Sequence, residues 1–137
     1  MNLEDSVLLL LLRFNRAEDI SEALNVRIED VEAVLKRLES EGFVERKKKG
    51  FLLKKDVFEL TERGFEKAVE LRKNLEEVAR DLERVHEKDP ERAAKIIEKD
   101  PLLLPLLITL GLINLSMLSG LAEEDYDFDF DFDTVEF

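Results

Sequence analysis

Six consecutive apolar residues, Val7 to Leu12, dominate the first regular segment, so a helix over residues 4–15 would be apolar on every face. Such a helix must be covered all round by its own domain or shared with a partner. The next apolar positions, Ile20, Ala23 and Leu24, fall at helical spacing, and Asn25 ends that helix because Asn tolerates left-handed backbone. A third helix follows from the stripe Ile28, Val31, Leu35 and Leu38, with Gly42 in the carboxy-terminal cap position. Beyond Gly42 the period becomes extended. It predicts two short strands at residues 43–47 and 51–54, joined across Gly50, with residues 57–60 continuing the ribbon. Thr61 then caps a long helix.

Along that helix Ala68, Leu71, Leu75, Val78, Leu82 and Val85 are separated by three and four residues in alternation. A heptad seam of this kind wants a partner helix, either in its own domain or in a second chain, and the reading adopted is pairing between two chains. Asp-Pro at 89–90 and at 100–101 predicts two more helix starts, each with an Asp cap and Pro in the first helical position. From Pro101 to Ala122 there is no charge, and the run is long enough to span a membrane. Thr109, Asn114, Ser116 and Ser119, together with Pro105 and Gly111, speak against a span. The favoured expectation is a buried dimer core using Leu107, Leu110 and Ile113, with a membrane anchor over residues 102–121 as the alternative.

The order helix, short helix, turn, helix ending "LKRLESEGFVER", basic hairpin, then "FELTERGFEKA" resembles the winged helix-turn-helix domain of MarR-like and ArsR-like transcriptional regulators. The resemblance covers about half the chain. It implies a mainly α fold with a small β-hairpin wing, in which residues 1–66 form the winged helix-turn-helix, 67–121 a helical dimerisation region and 122–137 a tail. It further implies a homodimer acting on duplex DNA. In that family's mode the third helix enters the major groove. Here its early outward positions are Glu29, Asp30 and Glu32, which repel phosphate, with Arg27 just before them and Lys36 and Arg37 a turn later.

Charge shifts attention to the hairpin. The net charge of −12 is uneven: residues 1–66 carry 12 Lys/Arg against 15 Asp/Glu, residues 67–101 carry 9 against 10, and residues 102–137 none against 8. Residues 43–55 hold Arg46, Lys47, Lys48, Lys49, Lys54 and Lys55 against the single acid Glu45, a local +5. Wings lie along the duplex backbone, so these cations are the expected phosphate contacts. The alternative is an ordinary solvated face, with the fold serving as a protein-interaction module.

The acidity is concentrated in the tail. On a strand, Asp125, Asp127, Asp129, Asp131 and Asp133 would line one side and Tyr126, Phe128, Phe130 and Phe132 the other. Three roles remain open for it: a strap on its own dimer, an autoinhibitory cover for the basic wing, or a docking peptide for a basic protein partner. The last is similar to the acidic tails ending in Phe of bacterial single-stranded-DNA-binding proteins, and this chain ends at Phe137.

Little points to catalysis. There is one His, His86, beside the heptad seam, and no phosphate loop, nucleophile elbow or metal-ligand spacing, so no enzyme activity, no cofactor and no metal are expected. Absence of Cys, Trp and Gln with 39% charged residues resembles an intracellular protein of a hyperthermophile. Acids rather than bases precede the first apolar run, which makes a poor secretory signal and places the chain in the cytoplasm.

Overall fold

The computed structural model describes residues 1–113. Six helices and one hairpin follow in the order α1 (Leu3–Leu10), α2 (Ala17–Leu24), α3 (Ile28–Ser40), β1 (Val44–Lys49), β2 (Lys55–Leu60), α4 (Glu62–Lys88), α5 (Pro90–Lys99) and α6 (Leu103–Thr109). The tail positions, residues 122–137, lie outside the described residues.

α1 sits at the centre, packed against α3 and α4, and its residues Val7 to Leu10 are fully buried within the one chain. Each such side chain contributes about 1.5–3 kcal/mol on burial. Asn2 caps the helix by accepting from the Asp5 N–H at 2.7 Å, and the buried Ser6 hydroxyl donates to the Asn2 carbonyl at 2.7 Å. The helix is shorter than expected. Its end tightens through Leu12 N–H to Leu9 O and Arg13 N–H to Leu10 O, and the chain then turns so that Asn15 can accept from the Phe58 N–H at 2.7 Å. That single bond ties the loop before α2 to the outer edge of β2.

Asn25 has φ 57° and ψ 48°, the left-handed stop expected between α2 and α3. Gly42, at φ 85°, follows α3 as the expected cap. The two segments that carry the family resemblance meet here. Thr61 Oγ1 donates to the Gly42 carbonyl at 2.8 Å and accepts from the Gly64 N–H at 3.1 Å, while the Thr61 N–H donates to Phe43 O at 3.0 Å. Arg63 reaches the Glu41 carbonyl at 2.7 Å and lies 4.3 Å above the Phe43 ring, with the Lys67 ammonium at 4.9 Å. Gly64 is required by close approach: a Cβ there would stand 2.0 Å from Phe43 O. "ESEGF" and "LTERG" are therefore two halves of one joint between α3, β1 and α4.

α4 runs without a break across position 66 and buries Ala68, Leu75, Ala79 and Leu82 against α1 and α5. Asp89 caps α5 as expected, accepting from the Arg92 N–H at 3.2 Å. Asp100 does not cap a helix beginning at Pro101. Its carboxylate takes the Met1 ammonium at 2.6 Å, and α6 starts at Leu103 with no side-chain cap. α6 has seven residues, packs on α2 and buries Leu103, Leu104, Leu106 and Leu107. Pro105 falls in its first turn, where a missing N–H breaks no bond. Among the described residues, no helix is long and apolar enough to cross a membrane.

Candidate nucleic-acid interface

The hairpin differs from the expected one in register and in charge. β1 pairs antiparallel with β2 from Val44 opposite Leu60 to Lys49 opposite Lys55. The second strand is thus residues 55–60, and residues 51–54, expected to be strand, belong to the loop. The reason is burial. Val57 and Phe58 are the β2 side chains covered by the domain, and pairing them with β1 leaves Phe51 to Leu53 beyond the last rung.

That register also brings in acids that the local count of +5 omitted. Over residues 44–60 the six cations face Glu45, Asp56 and Glu59, a net +3. On one face Lys47 Nζ lies 2.9 Å and Lys49 Nζ 3.5 Å from the Glu59 carboxylate. Hydrogen bonding from Lys47, reinforced by its charge, holds Glu59 below the usual carboxylate range; the same bond raises Lys47. A lowered carboxylate pKa means that this link is fully present above the ordinary Glu range and is lost only as pH falls through the depressed value, so it persists at neutral pH. On the other face Arg46 contacts Glu39 at 3.1 Å and Asp56 at 3.8 Å. Lys48 Nζ stands 3.0 Å from Asp56 Oδ1, an ion contact without hydrogen-bond geometry, and that buried oxygen has no hydrogen-bond partner.

Among the described residues, Lys54 and Lys55 make no ion pair, although Lys55 lines a shallow cleft with Glu18, Glu32 and Asp56. Exposed ion pairs are weak and are screened by salt, so a phosphate can displace the wing's own acids. The six cations are therefore unequal: two are available at once and four must first leave a carboxylate.

On α3, Glu29 and Glu32 are exposed. Arg27 is tied to Asp30 through Nε at 3.3 Å and Nη2 at 3.2 Å, which raises its pKa further above the ordinary guanidinium value. Arg37 pairs with Glu4 at 3.5 Å. Lys36 is exposed and, among the described residues, makes no ion pair. The helix thus presents carboxylates in its first turns and one unengaged cation behind them.

The residues expected at a dimer seam are divided by the fold. Leu75, Leu82, Leu107 and Leu110 are buried within one chain, Leu71, Val85 and Ile113 are half-buried, and Val78 is 40% exposed. Sequence reasoning missed two groups at the wing. Asp56 and Glu59 lie just beyond the basic stretch of residues 43–55, and the antiparallel register brings them in. Phe51, Leu52 and Leu53 have the residue types of a strand, although an apolar triplet beside a glycine with lysines on both sides is also what a loop tip offers.

Residues 4–65 match the family model described as sugar-specific transcriptional regulator TrmB. No curated protein matches the chain. Among solved structures, the adhesin competence repressor AdcR from Streptococcus pyogenes superposes with a TM-score of 0.60 at 24% identity, over 72% of this chain and 75% of that one. A mutant of ZitR from Lactococcus lactis gives a TM-score of 0.57 at 21% identity, over 70% of this chain and 66% of that one. A second ZitR mutant gives 0.57 at 18% identity, over 72% and 69%. Domain match, helix order and hairpin agree on the fold: residues 4–65 form a winged helix-turn-helix.

Proposed function

We propose that the chain is a homodimeric, DNA-binding transcriptional regulator in which the wing, rather than α3, supplies most of the affinity. The observation that carries this reading is the hairpin: six cations, five on its two strands and Lys54 just before β2, extend from a helix-turn-helix, with Lys54 and Lys55 unpaired among the described residues. The domain match to a family of transcriptional regulators supports it. Carboxylates at Glu29 and Glu32 weaken contact between α3 and phosphate, so base readout falls to few positions and Lys36 is the helix cation placed to help. Lys47, Lys48, Lys49 and Arg46 join once phosphate replaces Glu39, Asp56 and Glu59; Arg27 and Arg37 contribute only after leaving Asp30 and Glu4.

The test is a salt titration of the full chain on random-sequence duplex. Binding should weaken linearly on logarithmic axes, with a slope of about −0.9 for each phosphate neutralised. No complex at low salt would end the regulator reading. It would favour a second one, a protein-interaction module whose acidic α3 face grips a basic partner; the exposed Glu29 and Glu32 are what recommend it.

The dimer rests on the heptad stripe. Its members Ala68, Leu75 and Leu82 are covered inside one chain, whereas Leu71, Val78 and Val85, each three residues further on, remain partly open along α4. A helix of 27 residues can offer that stripe to its symmetry mate. Val78→Asp should convert the dimer to monomer by light scattering while leaving the helical signal unchanged. A Val78→Asp protein that stays dimeric would remove α4 from the interface.

A further inference from the structure

The wing ends in the most exposed apolar group of the described residues: Phe51 is 94%, Leu52 90% and Leu53 76% accessible. Three large apolar side chains in a row on a solvent-facing tip are costly in water and mark a contact surface. The loop that carries them is closely built. Gly50 has φ 125°, and a Cβ there would stand 2.3 Å from Leu53 O, so the chain folds back on itself at the base of the tip and holds the triplet outward. Lysines flank it on both sides, Lys47 to Lys49 on the incoming strand, Lys54 just after the triplet and Lys55 at the start of the outgoing strand.

We infer that this tip is an apolar wedge for the minor groove of duplex DNA. The inference rests on the DNA-binding reading above and adds what the apolar tip does to the base step it meets. Charge complementarity selects the occupant: lysines on both sides of the wedge meet the phosphates of the two strands that border a groove about 6 Å wide. Reach agrees with this. A six-residue strand spans about 20 Å, roughly half of the 34–36 Å duplex repeat, so a wing beginning beside a helix in the major groove extends to the adjacent minor groove. Phe and Leu inserted at a base step unstack it and kink the duplex, and the cost of unstacking selects flexible steps rather than a base code. A protein whose reading helix is acidic would in this way choose sites by deformability.

The experiment uses the full chain and a duplex carrying 2-aminopurine at a central pyrimidine–purine step. Binding of the unaltered protein should raise the fluorescence of the probe as the step unstacks. The triple variant Phe51→Ser, Leu52→Ser, Leu53→Ser should keep its thermal midpoint, since the tip is exposed, and keep the salt slope, since the lysines remain. It should lose the fluorescence rise and at least about tenfold in affinity. Equal affinity and equal fluorescence in the variant would overturn the wedge while leaving the regulator reading intact; so would binding by the unaltered protein without any fluorescence rise. Absence of all duplex binding would remove both. In parallel, vesicles of phosphatidylserine and phosphatidylcholine are titrated. Tip-dependent vesicle binding combined with tip-independent DNA binding would assign the triplet to a lipid surface and overturn the inference.

Discussion

Duplex binding by the variant Lys54→Gln, Lys55→Gln should be weaker by on the order of 10²-fold at 50 mM salt, with a slope shallower by nearly two units. Each phosphate contact releases close to one counterion, which near 50 mM salt is worth about tenfold in affinity. These two lysines are the wing cations without an ion pair among the described residues, so nothing offsets their loss. Lys47→Gln, Lys49→Gln removes the same charge but also releases Glu59, and a freed carboxylate beside the phosphates adds repulsion. The informative comparison is therefore with Glu59→Gln. It frees Lys47 and Lys49 together and should tighten binding and steepen the slope, whereas a purely structural hairpin pair would show no gain. Lys73→Gln, on the exposed surface of α4, serves as the control. Equal losses from Lys73→Gln and from the Lys54, Lys55 pair would sink the wing as the phosphate-binding element.

The second large effect is on stability. Gly64→Ala should destabilise the fold by about 3 kcal/mol, at the upper end of overpacking costs, and lower the thermal midpoint by about 10 °C. Helix propensity alone would predict a gain from this change, since Ala is the better helix former by about 1 kcal/mol. The tertiary contact decides the sign. The new Cβ would meet Phe43 O at 2.0 Å and its carbonyl carbon at 2.9 Å, both backbone atoms. Phe43 O cannot retreat freely because it accepts the Thr61 N–H at 3.0 Å, and Thr61 Oγ1 is bonded to Gly42 O and to the Gly64 N–H. Relief at Gly64 therefore loosens the whole joint between α3, β1 and α4. Glu66→Ala, exposed one residue past Phe65, is the matched control. Chemical denaturation that found the Gly64→Ala protein as stable as its parent would contradict the geometry of this joint.

Most of the helices could be read before any fold was seen, because their signals act over a few residues. Asn25 and Thr61 stop and start helices through their own backbone and side chain, and Asp89 does the same for α5. Asp100 misled for a physical reason. A cap competes with any other partner for the carboxylate, and the Met1 ammonium, brought close only by folding, took it. The winged helix-turn-helix was legible because "LESEGFV" and "LTERGFEKA" encode one joint from both sides.

The chain by itself therefore determined the helical segments, the presence of a basic hairpin after α3 and the pairing of two motifs, since periodicity and capping are local. The fold alone decided which lysines are unpaired among the described residues, where the apolar triplet stands and which half of the heptad stripe stays open. Each of these depends on register between segments distant along the chain: a shift of the ladder would give Glu59 other partners and draw Phe51 back into a strand. Local chemistry can place a cation on a hairpin, but only the strand opposite determines whether it already holds a carboxylate.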